Sequence, residues 1–170
     1  RQQAFAVLAR QVDEADRLSA RPSFAGLIYP VTTLEPGTHG GSRDNLLGLN
    51  ASPALIAARS PVLHVSAATP PSFVVAPFDA GTVPIPNSLD WIAACRTAKT
   101  SVEAHLLAEG GHGFGFHLPR DNPCARWPDL FAAWLRKHGM KWLSGQCLCC
   151  AAHGLSCLIT VKSGGGSRTL

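Results

Sequence analysis

The sequence predicts an α/β fold in which parallel strands alternate with helices. Three short runs, rich in apolar residues and bounded by turn-forming residues, are typical of strands buried in a sheet. They are "FAGLIYPV" (24–31), "PSFVVAPF" (71–78) and "SVEAHLLAE" (101–109). Segments with helix-boundary residues lie between and after them. Strands that alternate with helices are typical of parallel sheets with crossover connections.

Helix-boundary residues define the helical segments. Helices are predicted over 52–61, 87–99 and 124–139, and part of 2–18 is also expected to be helical. Ser52 is expected to cap the first of them, with Pro53 at its first position. Asn87 is expected to open the second, and Gly139 to end the third. The turn-rich stretch 35–48 is predicted to be a loop that leads into a short turn of helix.

Composition and charge narrow the classes of function. The 170 residues are 46% hydrophobic and 15% charged, which is typical of a globular domain. The net charge is +4, but the Lys and Arg residues are scattered without a stripe, so we expect no nucleic-acid partner. No sufficiently long apolar run is present, and a membrane span needs about 20 such residues, so we expect no membrane partner. The N-terminal residues do not indicate a cellular compartment.

Two segments are predicted, 1–142 as a portion of an α/β domain and 143–170 as a Cys-rich and then Gly/Ser-rich flexible tail. The tail contains "CLCCAAHGLSC", whose cysteines and His153 could supply metal ligands. Their spacing matches no common zinc pattern, so we predict neither a metal nor a cofactor, and a metal-binding tail stays a further alternative. Cys95 and Cys124 are expected to be buried thiols.

An acid and a histidine follow neighbouring strands. Asp79 comes directly after the second strand, and His112 follows the third within "EGGHGFGF" (109–116). Parallel strands joined by right-handed crossovers end at the same edge of the sheet, where such folds bind ligands. The order acid and then histidine matches the end of a Ser–Asp–His triad in α/β-hydrolases. The alternative is that His112 is a turn histidine without a catalytic role.

Four pieces of the sequence carry a specific resemblance. They are "YPV", "THGGSRDNLLG", "VPIPNS" and "GGHGFG", in this order. Over about residues 12–140 the chain resembles the C-terminal half of acetyl-esterase and acetylxylan-esterase-like α/β-hydrolases, relatives of dienelactone hydrolase. The resemblance implies a partial α/β-hydrolase fold and hydrolysis of short-acyl esters, such as acetyl groups on sugars or xylan. It implies a small-molecule or carbohydrate ester substrate, no cofactor, and His112 as general base.

The chain departs from the family pattern at two of the three triad positions. No serine lies in a G-x-S-x-G elbow, so the nucleophile is absent and the chain alone is expected to be inactive. Ala80 occupies the expected position of the acid, and Asp79, one position earlier, is the candidate acid. A complementing N-terminal half would have to supply the serine. The alternative is a non-catalytic remnant of a hydrolase or a binding module.

Overall fold

The computed structural model describes residues 22–139, so the helix expected within 2–18 and the tail predicted for 143–170 lie outside this range. The described residues contain a three-stranded sheet in the order β1–β2–β3, and both pairings are parallel. The strands are β1 (Ala25–Ile28), β2 (Ser72–Pro77) and β3 (Val102–Leu107). The predicted alternation of parallel strands with helices is therefore confirmed, as is a partial α/β fold.

Strand β2 lies in the middle of the sheet, and all of its residues are buried. Val75 is opposite Ile28 of β1 on one side and His105 of β3 on the other. Its apolar sequence follows from this position, because a central strand is shielded by neighbours at both edges and by side chains on both faces. The pairing also aligns the carboxyl ends of the three strands.

Four helices accompany the sheet within residues 22–139. They are α1 (Gly40–Leu47), α2 (Pro53–Arg59), α3 (Pro86–Thr97) and α4 (Trp127–Lys137), with 3₁₀ turns at Pro61–His64 and Pro123–Arg126. Ser52 caps α2 as predicted, and Gly139 follows α4 with a φ of 75°. The stretch 35–48 forms a longer helix than expected, because the His39 side chain accepts the Ser42 amide and caps α1. None of the helices in the described range is long and apolar enough to cross a membrane.

Asn87 does not open the helix as the sequence predicted. Helix α3 begins at Pro86, and Ile85 precedes it without a side-chain cap. Asn87 is buried, and its Oδ1 accepts the amides of Thr32 at 3.0 Å and Thr33 at 3.2 Å. Buried amides need partners, so the side chain satisfies the loop after β1 instead of its own helix. The hydrogen bonds of Asn87 therefore join two segments that are distant in the sequence, beside the edge of the sheet.

The sheet has an apolar layer on each face. On one face, α4 packs an aromatic cluster against the sheet: Phe24, Phe73, Trp127, Phe131 and Trp134. On the other, residues of β1 and β2 pack against α3: Ala25, Leu27, Val74, Trp91 and Cys95. Cys95 and Cys124 are buried as predicted. Because both layers lie along the strands, the ends of the strands are left for the loops.

Gly26 in β1 provides a test of the aromatic layer. A Cβ at Gly26 would lie 2.9 Å from Cζ of Phe131, whose buried ring has little room to move. We expect Gly26→Ala to lower the free energy of unfolding by about 1–3 kcal/mol through overpacking. Gly81→Ala is the matched control, because a Cβ at Gly81 meets nothing within 4 Å. Urea denaturation measures both, and equal effects would contradict this packing.

Candidate active site

Three side chains follow the carboxyl ends of the three strands. Tyr29 comes directly after β1, Asp79 lies just beyond β2, and His112 lies in the loop after β3. The amide of Phe78 donates to the carbonyl of Leu107, so the loops after β2 and β3 leave the sheet side by side. The predicted meeting of Asp79 and the His112 loop at one sheet edge is therefore observed.

The glycines before His112 are required by space and by backbone conformation. A Cβ at Gly110 would lie 2.5 Å from Sγ of Cys124, which is buried beneath the loop. Gly111 has a φ of 65°, in the left-handed region that other residues rarely adopt. The Cys124 thiol donates to the carbonyl of Glu109 at 3.2 Å. The loop thus turns tightly over Cys124 and then presents His112.

The carboxylate of Asp79 holds the start of this loop. Oδ1 accepts the Gly111 amide at 2.8 Å, and Oδ2 accepts the Gly110 amide at 3.1 Å. The bonds from Gly111 and then Gly110 hold the pKa of the Asp79 carboxyl below its usual value of 3.8. Asp79 is exposed, so it acts as a surface clamp on the backbone next to His112.

The imidazole of His112 is partly buried, and its Nδ1 has no hydrogen-bond partner in the described part of the chain. Burial lowers the pKa of His112 below its usual 6.5, and the nearby His39 lowers it further. The ring is therefore neutral at pH 7. In a serine-hydrolase triad, Nδ1 is the nitrogen that the acid holds. The Asp79 carboxylate accepts hydrogen bonds from the backbone amides of Gly110 and Gly111, and its role as triad acid stays a prediction.

Ala80, at the position expected for the acid, is buried with 7% of its surface exposed. A methyl group there offers no acceptor to a ring nitrogen. The buried Nδ1 of His112, which has no partner within residues 22–139, is consistent with an apolar side chain at this position.

Tyr29 belongs to the site although the sequence analysis assigned it no role. Its ring lies edge-to-face with His112 at a centroid distance of 4.7 Å. Its hydroxyl oxygen lies 3.3 Å from the amide nitrogen of Gly115, which donates to it. The available signal was its place within the "YPV" piece, because the sequence analysis put Tyr29 inside the first strand and the structure ends that strand at Ile28. The contact itself depends on the backbone turn at Tyr29, which has a φ of 41°.

Two further polar side chains near this edge, those of Cys124 and His39, have structural partners. The buried Cys124 thiol has a raised pKa, chiefly from burial and then from Asp79 and Glu109, so it stays protonated at neutral pH. His39 caps α1, with Nδ1 2.9 Å from Oγ of Ser42. Within residues 22–139, no group of three or more His, Cys, Asp or Glu side chains is arranged to hold a metal ion.

Solved structures with the same architecture give the chain its class. It superimposes on an acetyl ester-xyloside bifunctional hydrolase from Caldicellulosiruptor lactoaceticus with a TM-score of 0.73 and 32% identity, covering 78% of this chain and 48% of that one. A carboxylesterase from Lactobacillus plantarum gives a TM-score of 0.59 and 25% identity, covering 75% of this chain and 49% of that one. The chain thus spans about half the length of these relatives.

Sequence comparison agrees with the structural one. Endo-1,4-beta-xylanase B from Butyrivibrio fibrisolvens is 32% identical over 96 residues, which cover 56% of this chain and 15% of that protein. No protein-family profile matches the chain. The chain therefore has a partial α/β-hydrolase fold, and it is similar to an acetyl ester-xyloside hydrolase and to a carboxylesterase over about half of their length.

The Asp79 clamp predicts a pH-dependent contribution to stability. Because the carboxyl pKa is lowered on folding, the contribution is present above pH 3.8 and is lost as the pH falls through the lowered value. We expect Asp79→Ala to be less stable than the wild type at pH 7, with a smaller difference in the free energy of unfolding at pH 2. Urea denaturation at both pH values measures this. Asp90→Asn, which changes an exposed carboxylate on α3, is the control, and an Asp79→Ala gap that does not depend on pH would contradict the clamp.

The environment of His112 predicts its titration. We expect the ring to titrate below pH 6.5 in an NMR titration, with His112→Gln used to assign the resonance. A lowered histidine pKa means that the folded state binds fewer protons than the unfolded one, so stability rises with pH between the lowered value and 6.5. His112→Gln removes this part of the rise. A His112 titration at or above 6.5 would contradict the burial of its ring.

Proposed function

We propose that the chain forms part of a serine hydrolase that removes short acyl groups from small-molecule or carbohydrate esters, such as acetyl groups on sugars or xylan. One observation carries the proposal: the loop after β3 presents a neutral, partly buried His112 at the sheet edge, beside the loop after β2. In this proposal His112 is the general base. No cofactor takes part.

The proposed chemistry follows from the state of the imidazole. Because Nδ1 is buried, Nε2 is assigned the proton transfer. A serine oxygen attacks the ester carbonyl carbon while Nε2 takes its proton, and the protonated ring then returns that proton to the departing alcohol. Water hydrolyses the acyl-enzyme with the same ring as base. A lowered histidine pKa keeps the base in its neutral form at pH 7, at some cost in basicity.

The nucleophile is proposed to come from polypeptide that pairs with the outer edge of β1. Among the described strands β1 pairs with β2 alone, although Ala25 and Leu27 are buried. An apolar edge strand without charged side chains, such as β1, is unusual unless another segment covers its free edge. The solved relatives carry about as much chain again as this one covers. Residues 1–142 are accordingly proposed to be the C-terminal portion of the domain, inactive without that strand.

The acid sets how fast such an enzyme would be. Loss of the triad acid costs about 10⁴-fold in turnover in serine proteases, and loss of the serine about 10⁶-fold. A reconstituted enzyme with Ala80 and with Asp79 held by the loop amides is therefore expected to be slow. Asp79 becomes the acid in this proposal only if the loop shifts by about one residue spacing, roughly 3.8 Å.

The alternative function is that of a non-catalytic hydrolase remnant or a binding module. The apolar Ala80 and the unpartnered Nδ1 of His112 favour it. The two proposals differ in the ester turnover that they predict once a nucleophilic serine is supplied. A serine hydrolase gains turnover, and a non-catalytic remnant does not.

A chimera tests the proposed function. The corresponding half of the Caldicellulosiruptor hydrolase is replaced by residues 1–142, and hydrolysis of p-nitrophenyl acetate is measured. We expect turnover that falls by at least about 10³-fold in His112→Ala. We expect Ala80→Asp to raise kcat, by up to about 10⁴-fold if its carboxylate reaches Nδ1. His117→Ala, which changes an exposed histidine of the same loop, should leave turnover unchanged.

The isolated chain provides the complementary measurement. We expect the 170-residue chain to show neither turnover nor labelling by a fluorophosphonate probe. A labelled serine in this chain would refute the proposal that the nucleophile lies elsewhere. A folded chimera that labels at its serine but never responds to His112→Ala would favour the non-catalytic remnant.

A further inference from the structure

Tyr29 combines an unusual backbone with contacts to the His112 loop. Its φ of 41° is rare for a bulky side chain, and such conformations cluster at functional sites. The surrounding structure maintains it, because the Tyr29 amide donates to the carbonyl of Val75 at 2.7 Å and continues the pairing of β1 with β2. The turn therefore occurs at the point where the strand ends.

The Tyr29 side chain reaches three residues of the loop after β3. The ring lies 4.7 Å from that of His112 at an interplanar angle of 66°, and 4.6 Å from that of Phe114 at 80°. The hydroxyl accepts the Gly115 amide at 3.3 Å. The Gly115 carbonyl is bound in turn by Nε1 of Trp127 at 2.7 Å. This end of the loop is thus held from two sides.

We propose that Tyr29 is the positioning residue of His112, and that its ring sets the orientation of the imidazole plane. The inference rests on the proposed role of His112 as base. In a triad the acid orients the ring through Nδ1, but in residues 22–139 that atom has no partner and Ala80 stands at the acid position. Edge-to-face aromatic contacts are directional, so Tyr29 supplies the orientation that the missing bond does not.

The test measures the order of the His112 ring in the 170-residue chain. The chain is labelled with ¹³C-histidine, and relaxation gives the order parameter of the Cε1–H bond. The rate at which diethyl pyrocarbonate modifies His112 is followed from pH 5 to 8. Tyr29→Asn removes the ring but tolerates the left-handed backbone, so the fold is retained. Tyr29→Phe keeps the ring and removes the hydroxyl.

We expect Tyr29→Asn to lower the His112 order parameter and to raise the modification rate by about 2- to 10-fold, the range that the loss of one aromatic pair implies. Tyr29→Phe should retain the wild-type order parameter. Phe114→Leu is the matched control, because it removes the other ring partner of Tyr29 within the same loop. It should lower the melting temperature and leave the His112 ring ordered.

Two results would overturn the proposal. One is a His112 order parameter that is unchanged in Tyr29→Asn. The other is equal loosening in Phe114→Leu, which would show general packing and not positioning. Neither readout needs ester turnover, so a chimera without activity refutes the proposed function and leaves this test intact. In an active chimera, Tyr29→Asn should lower kcat with KM unchanged when the enzyme concentration is taken from fluorophosphonate titration of the active serine, which corrects for any loss of folded protein.

Discussion

The central position of β2 is the constraint on which the rest of the structure depends. Parallel pairing on both sides forces three strands to end at one edge, and it brings Tyr29, Asp79 and His112 together from distant parts of the sequence. The strand can hold this position because its faces are covered, by the aromatic layer of α4 on one side and by α3 on the other. The arrangement of the site therefore depends on the two apolar layers that pack on the faces of the sheet, at a distance from the site.

The His112 loop is held at both ends by different interactions. Asp79 binds the amides of Gly110 and Gly111 before the histidine, and Tyr29 with Trp127 binds Gly115 after it. Such anchoring orders a loop that its glycines would otherwise leave free. It also separates two tasks, since the candidate acid orders the backbone while an aromatic ring contacts the imidazole. The backbone on both sides of His112 is thus fixed, although the neighbouring Ala80 side chain is apolar.

Much of the fold followed from local pattern. Short apolar runs and helix-boundary residues located the three strands, the capping of α2 by Ser52 and the end of α4 near Gly139. Asn87 shows the limit of such reasoning. The pattern favours an asparagine at a helix start, but the buried amide of Thr32 and the half-buried amide of Thr33 in the loop after β1 needed an acceptor, and satisfying them outweighed the local cap. No feature near Asn87 in the sequence reveals that need.

The sequence by itself determined the α/β class, the chemical identity of the candidate groups and their order along the chain, because these depend on local periodicity and spacing. That Ala80 occupies the position of a triad acid is implied by the resemblance and stays a prediction. The tertiary structure alone decided what those groups touch. The carboxylate of Asp79 meets backbone amides, Nδ1 of His112 meets no partner within residues 22–139, and Tyr29 faces the imidazole. These contacts depend on strand register and on a left-handed turn, which are set by packing between residues far apart in the chain.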